Sequence, residues 1–292
     1  MRILIILLFC IPVLADARTI IQNKGSDTLV NVAQAWAEAY QEVTSEVSVA
    51  VSGGGSGTGV AALINGTCDL ANSSRELKPE EIALARSRGI EPIKHIVGYD
   101  ALAVYLHKNN PLESISLPQL AEIYGEDAEI DSWKQINVEV PKCKDQEMII
   151  VGRQNSSGTY SYFRGVVLGP KRDYRLGTLD MHGSKDVVDL IEKTPCAIGY
   201  SGLAYATDHV NRACIGEEDC VVPSVASASD LSYPIARPLL MYTNGEPVGI
   251  VKIYLDWILS DEGQCIISNK GYAPVRNVIC LTQDKKGSVY HE

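Results

Sequence analysis

The sequence lacks several features that would each point to a definite class of protein. Beyond its first residues it has no apolar run approaching the 18 or more residues of a membrane helix, so no later segment is expected to span a bilayer. It has no C-x-x-C pair, and its five histidines are scattered, which argues against a structural zinc or other metal centre. Basic charge is short: Lys plus Arg total 26 against 36 for Asp plus Glu, a formal net charge of −10. Such a chain is a poor partner for nucleic-acid backbones or anionic membrane surfaces. No internal repeat and no low-complexity linker is present, so any domain boundary has to be a crossing of ordered chain.

Nucleotide and hydrolase signatures are missing too. No G-x-x-x-x-G-K-[ST] loop occurs, and Lys is absent from the candidate positions. The glycine run 53–59 does not fit G-x-G-x-x-G, because Thr58 falls where the last glycine is required. Thr58 also breaks the G-x-S-x-G elbow around Ser56, and no histidine stands out as its partner base. No cofactor is expected, and an enzyme is not.

What remains is an ordinary globular composition, 292 residues with 46% hydrophobic and 21% charged, enough for one large domain or two of medium size. Residues 1–17 read as a secretion signal: Arg2, an apolar core over 3–14, and an A-x-A cleavage site at Ala15-Asp16-Ala17. Phe9 before Cys10 argues against lipid attachment there. The mature chain then begins at Arg18 and is expected outside the cytoplasm. Removing one Arg and one Asp leaves the charge at −10.

Export permits disulfides. Removing Cys10 leaves seven cysteines, an odd number, so at least one thiol is unpaired within the chain. Cys214 and Cys220 close a short polar loop and are the best local pair, with Cys265 and Cys280 a weaker second.

The chain reads as α/β throughout. Leu29, Val32, Ala33, Trp36, Ala37 and Tyr40 mark one face of a helix. Pro79-Glu80-Glu81 starts another, which Gly89 ends. Residues 48–51, 101–107 and 148–151 read as strands, Ser116 caps a short helix ending at Gly125, and 249–259 and 261–269 read as helices. Strands alternating with helices imply mainly parallel sheets with sites at their C-terminal ends.

Three loops share one chemical design: 23–28, 52–59 and 153–159, each rich in hydroxyls or glycine and each placed between a strand and a helix start. Helix N-termini present unpaired N–H groups and a positive dipole end, hydroxyls add donors, and glycine admits close approach. Together they describe an anion site. A fourth segment, 69–75, adds more hydroxyls and Arg75. Singly, each loop could be an ordinary helix cap. Their recurrence is what favours an oxyanion.

The motifs GlySerAspThrLeu (25–29), SerGlyGlyGlySerGlyThrGly (52–59), AsnGlyThrCysAspLeuAlaAsnSerSerArg (65–75), ArgGlnAsnSerSerGlyThr (153–159), AlaIleGlyTyrSerGly (197–202), TyrProIleAlaArgProLeu (233–239) and LeuSerAspGluGlyGln (259–264) occur in that order. With them the whole mature chain resembles the substrate-binding proteins of phosphate-specific ABC transporters. The resemblance implies a two-lobed periplasmic binding protein fold of type II, each lobe a mainly parallel sheet flanked by helices. The ligand would lie in the cleft. The two crossings would fall near 95–101 and 229–237, giving lobe one as 18–97 plus 230–292 and lobe two as 98–229. It implies a monomeric periplasmic protein that captures inorganic phosphate and passes it to an inner-membrane ABC permease.

Residue by residue, the resemblance implies that Ser26, Asp27, Thr28 and Ser56 donate or accept at phosphate. It assigns the anion-binding arginine to Arg153 and the further donors to Ser157, Gly158 and Thr159. Two positions depart from better-known members: Ser74 and Asn155 stand where those have carboxylates, the second of which orients the arginine. A carboxylate can accept the proton that phosphate keeps and sulfate lacks. Some other carboxylate must serve, and Asp27, Asp69 and Asp100 are the candidates. Arg75 is expected to supply a second positive charge. The alternatives are a receptor for sulfate or molybdate, a phosphate sensor or scavenger, and, less favoured, a phosphoester hydrolase.

Overall fold

A computed structural model describes residues 19–280. The expected signal segment and Cys10 lie outside the described residues. The chain runs β1 (Thr19–Gly25), α1 (Val30–Val43), β2 (Val47–Ser52), α2 (Ser56–Ile64), β3 (Leu70–Ser73), α3 (Pro79–Ser87) and then a long β4 (Pro92–His107). It continues with β5 (Ser114–Ile115), α4 (Leu117–Tyr124), β6 (Ile149–Arg153), α5 (Gly158–Phe163), β7 (Leu179–Met181), α6 (Ser184–Lys193), β8 (Ala197–Gly202) and β9 (Val210–Ile215). It closes with α7 (Val225–Ser229), β10 (Ala236–Asn244), α8 (Gly249–Ile258) and α9 (Asp261–Asn269).

Sequence and structure agree on why these elements form. The helical stripe on α1 buries Val32, Ala33, Trp36, Ala37 and Tyr40. The Trp36 indole N–H also donates to Gly263 O at 2.8 Å, tying the first helix to the last. Truncating so buried a tryptophan to alanine costs about 3–5 kcal/mol. Ser116 caps α4 through Gln119, whose side chain accepts in return from the Ser116 N–H.

The strands are ordered β2-β1-β3-β10-β4-β8-β6-β7, with β5 and β9 off this path. Parallel ladders join β1 to β2 and β3, and β6 to β7 and β8. The two strands at the centre, β10 and β4, run antiparallel to each other and to their outer neighbours β3 and β8. β4 changes partner along its length: residues 92–101 pair with β10, and 102–107 with β8 and β9.

Two bodies of core follow from this exchange. One draws its buried residues from Ala101 to Ile235, plus Ala273. The other, in two clusters, draws on Ile21 to Val97 and Leu239 to Tyr272. The fold is therefore α/β and two-lobed, as expected.

The structure joins Cys214 to Cys220 and Cys265 to Cys280, and adds Cys143–Cys196, which the sequence did not single out. Closing 53 residues, the last contributes about 4 kcal/mol in the chain-entropy view. Cys68 remains free.

Candidate functional site

All three loops meet where the two cores face each other. Their closeness depends on glycine. At Gly25 (φ 142°) a Cβ would lie 2.2 Å from Asn72 O, so β1 can end against β3 only without a side chain. The Ser26 N–H there donates to Asn72 O at 2.9 Å. Gly55 (φ 97°) brings the second loop against Ser156 of the third, and the Gly57 N–H donates to Ser156 O at 2.9 Å.

The hydroxyls converge. Ser74 Oγ lies 3.0 Å from Ser26 Oγ and 3.3 Å from Ser56 Oγ, and the Ser74 N–H donates to Ser56 Oγ. Thr28 Oγ1 and Thr159 Oγ1, from facing cores, are 3.0 Å apart. Gly158 packs directly on Ser56 and Ser74. Ser26, Thr28, Ser56, Ser74, Ser157 and Thr159 are all buried. Ser157 has a different task from the other hydroxyls: its oxygen caps α5 by accepting the N–H groups of Thr159 and Tyr160.

Two buried arginines bound this cluster. Arg153 donates to Asp27 Oδ2 at 3.1 Å across the cleft, and to Ser184 Oγ, His182 O and Met181 O on its own side. Burial pulls this guanidinium below its ordinary value while the Asp27 carboxylate acts the other way. Asp27 is also held by the Gly54 N–H, and its carbonyl accepts from the Tyr205 hydroxyl at 2.5 Å. Asp27 is thus the carboxylate that pairs with this arginine. It does not cap α1, whose N-cap is Leu29.

The second arginine is Arg237, at the start of β10 and fully buried. It forms an ion pair with Asp100 at 2.8 Å, both side chains 0% exposed. It also donates to Thr28 Oγ1, Thr159 Oγ1 and Ser74 O. Asp100 further accepts the Leu203 N–H. Burial pushes the Asp100 carboxyl above its ordinary range, against the opposing pull of Arg237 and Leu203.

Two expectations are corrected here. Arg75 does not join the cluster: its guanidinium makes two short hydrogen bonds to Glu81, at 2.7 and 2.6 Å, and a third to Glu76 O. Burial would raise the Glu81 carboxyl, yet Arg75 and the Lys78 N–H hold it below the usual carboxylate range. Arg75 therefore serves the start of α3. Asp69 is exposed and accepts the Gln22 N–H at the middle of β1, short of the loop that follows Gly25. It is out of reach as an acceptor.

Arg237 and Tyr205 are not among the residues the sequence singles out. A signal existed for Arg237: it is one charge inside the apolar stretch Pro234–Leu240, at the end of an expected crossing. Tyr205 carried none, because its partners are backbone carbonyls 177 and 178 residues away.

Hydroxyls, N–H groups and two guanidinium ions each offset by one carboxylate make a buried, nearly neutral cluster rich in donors. Such a cluster suits a small oxyanion. No imidazole hydrogen-bonds to any of these hydroxyls among the described residues, and no group of three or more His, Cys, Asp or Glu there could hold a metal.

The model of the PBP superfamily domain matches residues 13–262. The phosphate-binding protein PstS of Pseudomonas aeruginosa is 30% identical over 87% of this chain and 83% of its own. The Bacillus subtilis protein of that name is 29% identical over 90% of this chain and 83% of its own. A Clostridium perfringens substrate-binding protein crystallised with bound phosphate superposes with a TM-score of 0.78 at 27% identity, covering 88% of this chain and all of that one. The chain belongs to the PBP superfamily and, within it, to the family of phosphate-binding proteins.

Proposed function

We propose that the mature chain is an exported solute-binding protein that captures inorganic phosphate between its lobes and delivers it to an inner-membrane ABC permease. The observation that carries this reading is the convergence of buried hydroxyls from both cores between Arg153 and Arg237. The family's phosphate-binding relatives support the choice of ion.

The ion is held by Ser26, Asp27, Thr28, Ser56, Ser74, Gly158, Thr159 and Arg153, with Ser157 fixing the third loop and Asp100 standing behind. Lobe one is 18–97 plus 230–292, and lobe two is 98–229. The partner exchange along β4 at Ala101–Leu102 supports the first crossing. The left-handed turn at Leu231 (φ 59°), between α7 and β10, supports the second. Closure of the lobes around a dehydrated ion is then the signal the permease reads.

The role is binding rather than catalysis. Ser56 has Ser74 as its hydroxyl partner and lacks a base, so a phosphoester hydrolase is disfavoured. The protein acts as a periplasmic monomer without affinity for nucleic acid. The charge and the signal-like residues 1–17 support this location and partner set. No helix among the described residues is long and apolar enough to cross a membrane.

Isothermal titration of residues 18–292 with phosphate, sulfate, molybdate and nucleotides tests the reading. Heat with phosphate alone is expected. Tight binding of sulfate or molybdate with no response to phosphate would move the ligand to another tetrahedral oxyanion.

A further inference from the structure

Arg237 makes a specific case for itself. Its Nη2 faces three acceptors: Asp100 Oδ2 at 2.8 Å, Thr159 Oγ1 at 3.1 Å and Thr28 Oγ1 at 3.2 Å. Its Nε donates to Asp100 Oδ2, and one hydrogen of Nη1 goes to Ser74 O at 3.2 Å. The other Nη1 hydrogen has no acceptor among the described residues, although the side chain is fully buried. That hydrogen leaves Arg237 one donor available to a ligand.

Its effect on the threonines points the same way. A hydroxyl whose oxygen accepts from a guanidinium turns its own hydrogen outward. Thr28 and Thr159 both accept from Nη2 and lie 3.0 Å apart, so one hydroxyl hydrogen can lie between them while the other is left to donate. Arg237 therefore orients one hydroxyl from each side of the cleft as well as supplying charge. The Tyr162 ring, 5.6 Å from its Cζ, and Asp100 keep the fork from swinging away.

We propose that Arg237 is the second cationic residue of the phosphate site, contacting the ion itself and orienting the Thr28–Thr159 hydroxyl pair so that one of them donates to it, with Asp100 as its positioning partner. This rests on the phosphate reading above. The competing role is a structural ion pair that only neutralises Asp100. Single substitutions cannot separate the two, because Arg237→Gln leaves Asp100 buried without its partner.

The double variant Arg237→Gln/Asp100→Asn separates them. It removes both charges while keeping the shapes, so an ion pair with a purely structural role is relieved. Melting of the ligand-free protein and titration with inorganic phosphate are compared for wild type, both single variants and the double variant. The expected result is that the double variant melts close to wild type yet binds phosphate at least about tenfold more weakly, the loss of one charge-assisted contact. Affinity within about twofold of wild type in the double variant overturns the assignment. Should that variant not fold, Arg237→Lys decides. It keeps the charge beside Asp100 but cannot fork to both threonines, so weaker phosphate binding is expected, and unchanged binding overturns the assignment. Absence of phosphate binding by the wild-type protein overturns the phosphate reading itself, and the role of Arg237 with it.

Discussion

Replacing Gly158 by alanine probes the closed site with little effect on folding. Gly158 is the first residue of α5 and is not in the left-handed region, so alanine fits the backbone and favours the helix. The added methyl, however, would lie 2.1 Å from Ser56 Oγ, 2.6 Å from Ser74 Oγ and 2.9 Å from Ser56 Cβ. Ordinary contacts need about 3.5–4.0 Å, so more than about 1 Å must be found. Ser56 cannot retreat easily. It begins α2, whose Gly59 already packs so closely that a Cβ there would be 2.5 Å from Lys24 O. The facing loops must part instead. Overpacking of this kind costs about 1–3 kcal/mol, which corresponds to phosphate affinity about 5- to 150-fold weaker. Calorimetric titration gives the affinity, and melting without phosphate gives the control. The ligand-free melting temperature should hardly change. Gly158→Ala binding phosphate within about twofold of wild type would refute the claim that the direct packing of Gly158 on Ser56 and Ser74 belongs to the phosphate-binding state.

Other outcomes follow from the same geometry. Arg153→Ala should weaken phosphate binding by at least about tenfold, since a charge-assisted pair in a dry site is worth about 1.5–3 kcal/mol. Unchanged affinity by titration would remove Arg153 from the site. Asp27, partly exposed and engaged by one N–H at each oxygen, has spare capacity to accept the phosphate proton, whereas Asp100 is enclosed. Asp27→Asn should therefore lower the preference for phosphate over sulfate by about tenfold or more, measured as the ratio of the two dissociation constants. A ratio that stays at the wild-type value counts against Asp27 as the acceptor. Burial and neighbouring Asp69 push the Cys68 thiol up to about 11, so the thiolate is scarce at neutral pH and grows as pH rises toward that value. Alkylation of the native protein by iodoacetamide should modify one thiol per mature chain, with a rate rising about tenfold per pH unit from pH 8 to 10. A rate flat with pH, or labelling of several thiols without reductant, would contradict the assignment of Cys68.

Much of this was legible because the relevant physics is local. The stripe on α1, the Pro79 start of α3 and the Ser116 cap are short-range patterns, and each reappears within two residues of its expected place. The hydroxyl loops were legible for the same reason. What escaped depends on distant partners. The first half of β4 is no more than partly buried as far as Ile96 and carries Lys94 and His95, so it reads as a connection; it is a strand because β10, some 140 residues later, pairs with it. Cys143 and Cys196 are 53 residues apart, and spacing alone cannot join them. Arg75 shows the opposite error: it stands next to the site hydroxyls in sequence, but the direction of its side chain gives it to Glu81, six residues on. Arg237 lies far from every loop in sequence and reaches Thr28 and Thr159 only because β10 returns between them.

The most direct test of the central claim is a crystal structure of the mature protein with phosphate. The ion should lie between the lobes, within hydrogen-bond distance of hydroxyls from Ser26 or Ser56 on one side and Thr159 on the other, with the Arg153 and Arg237 guanidinium groups beside it. Phosphate bound elsewhere, or on one lobe alone with these residues untouched, would contradict the account.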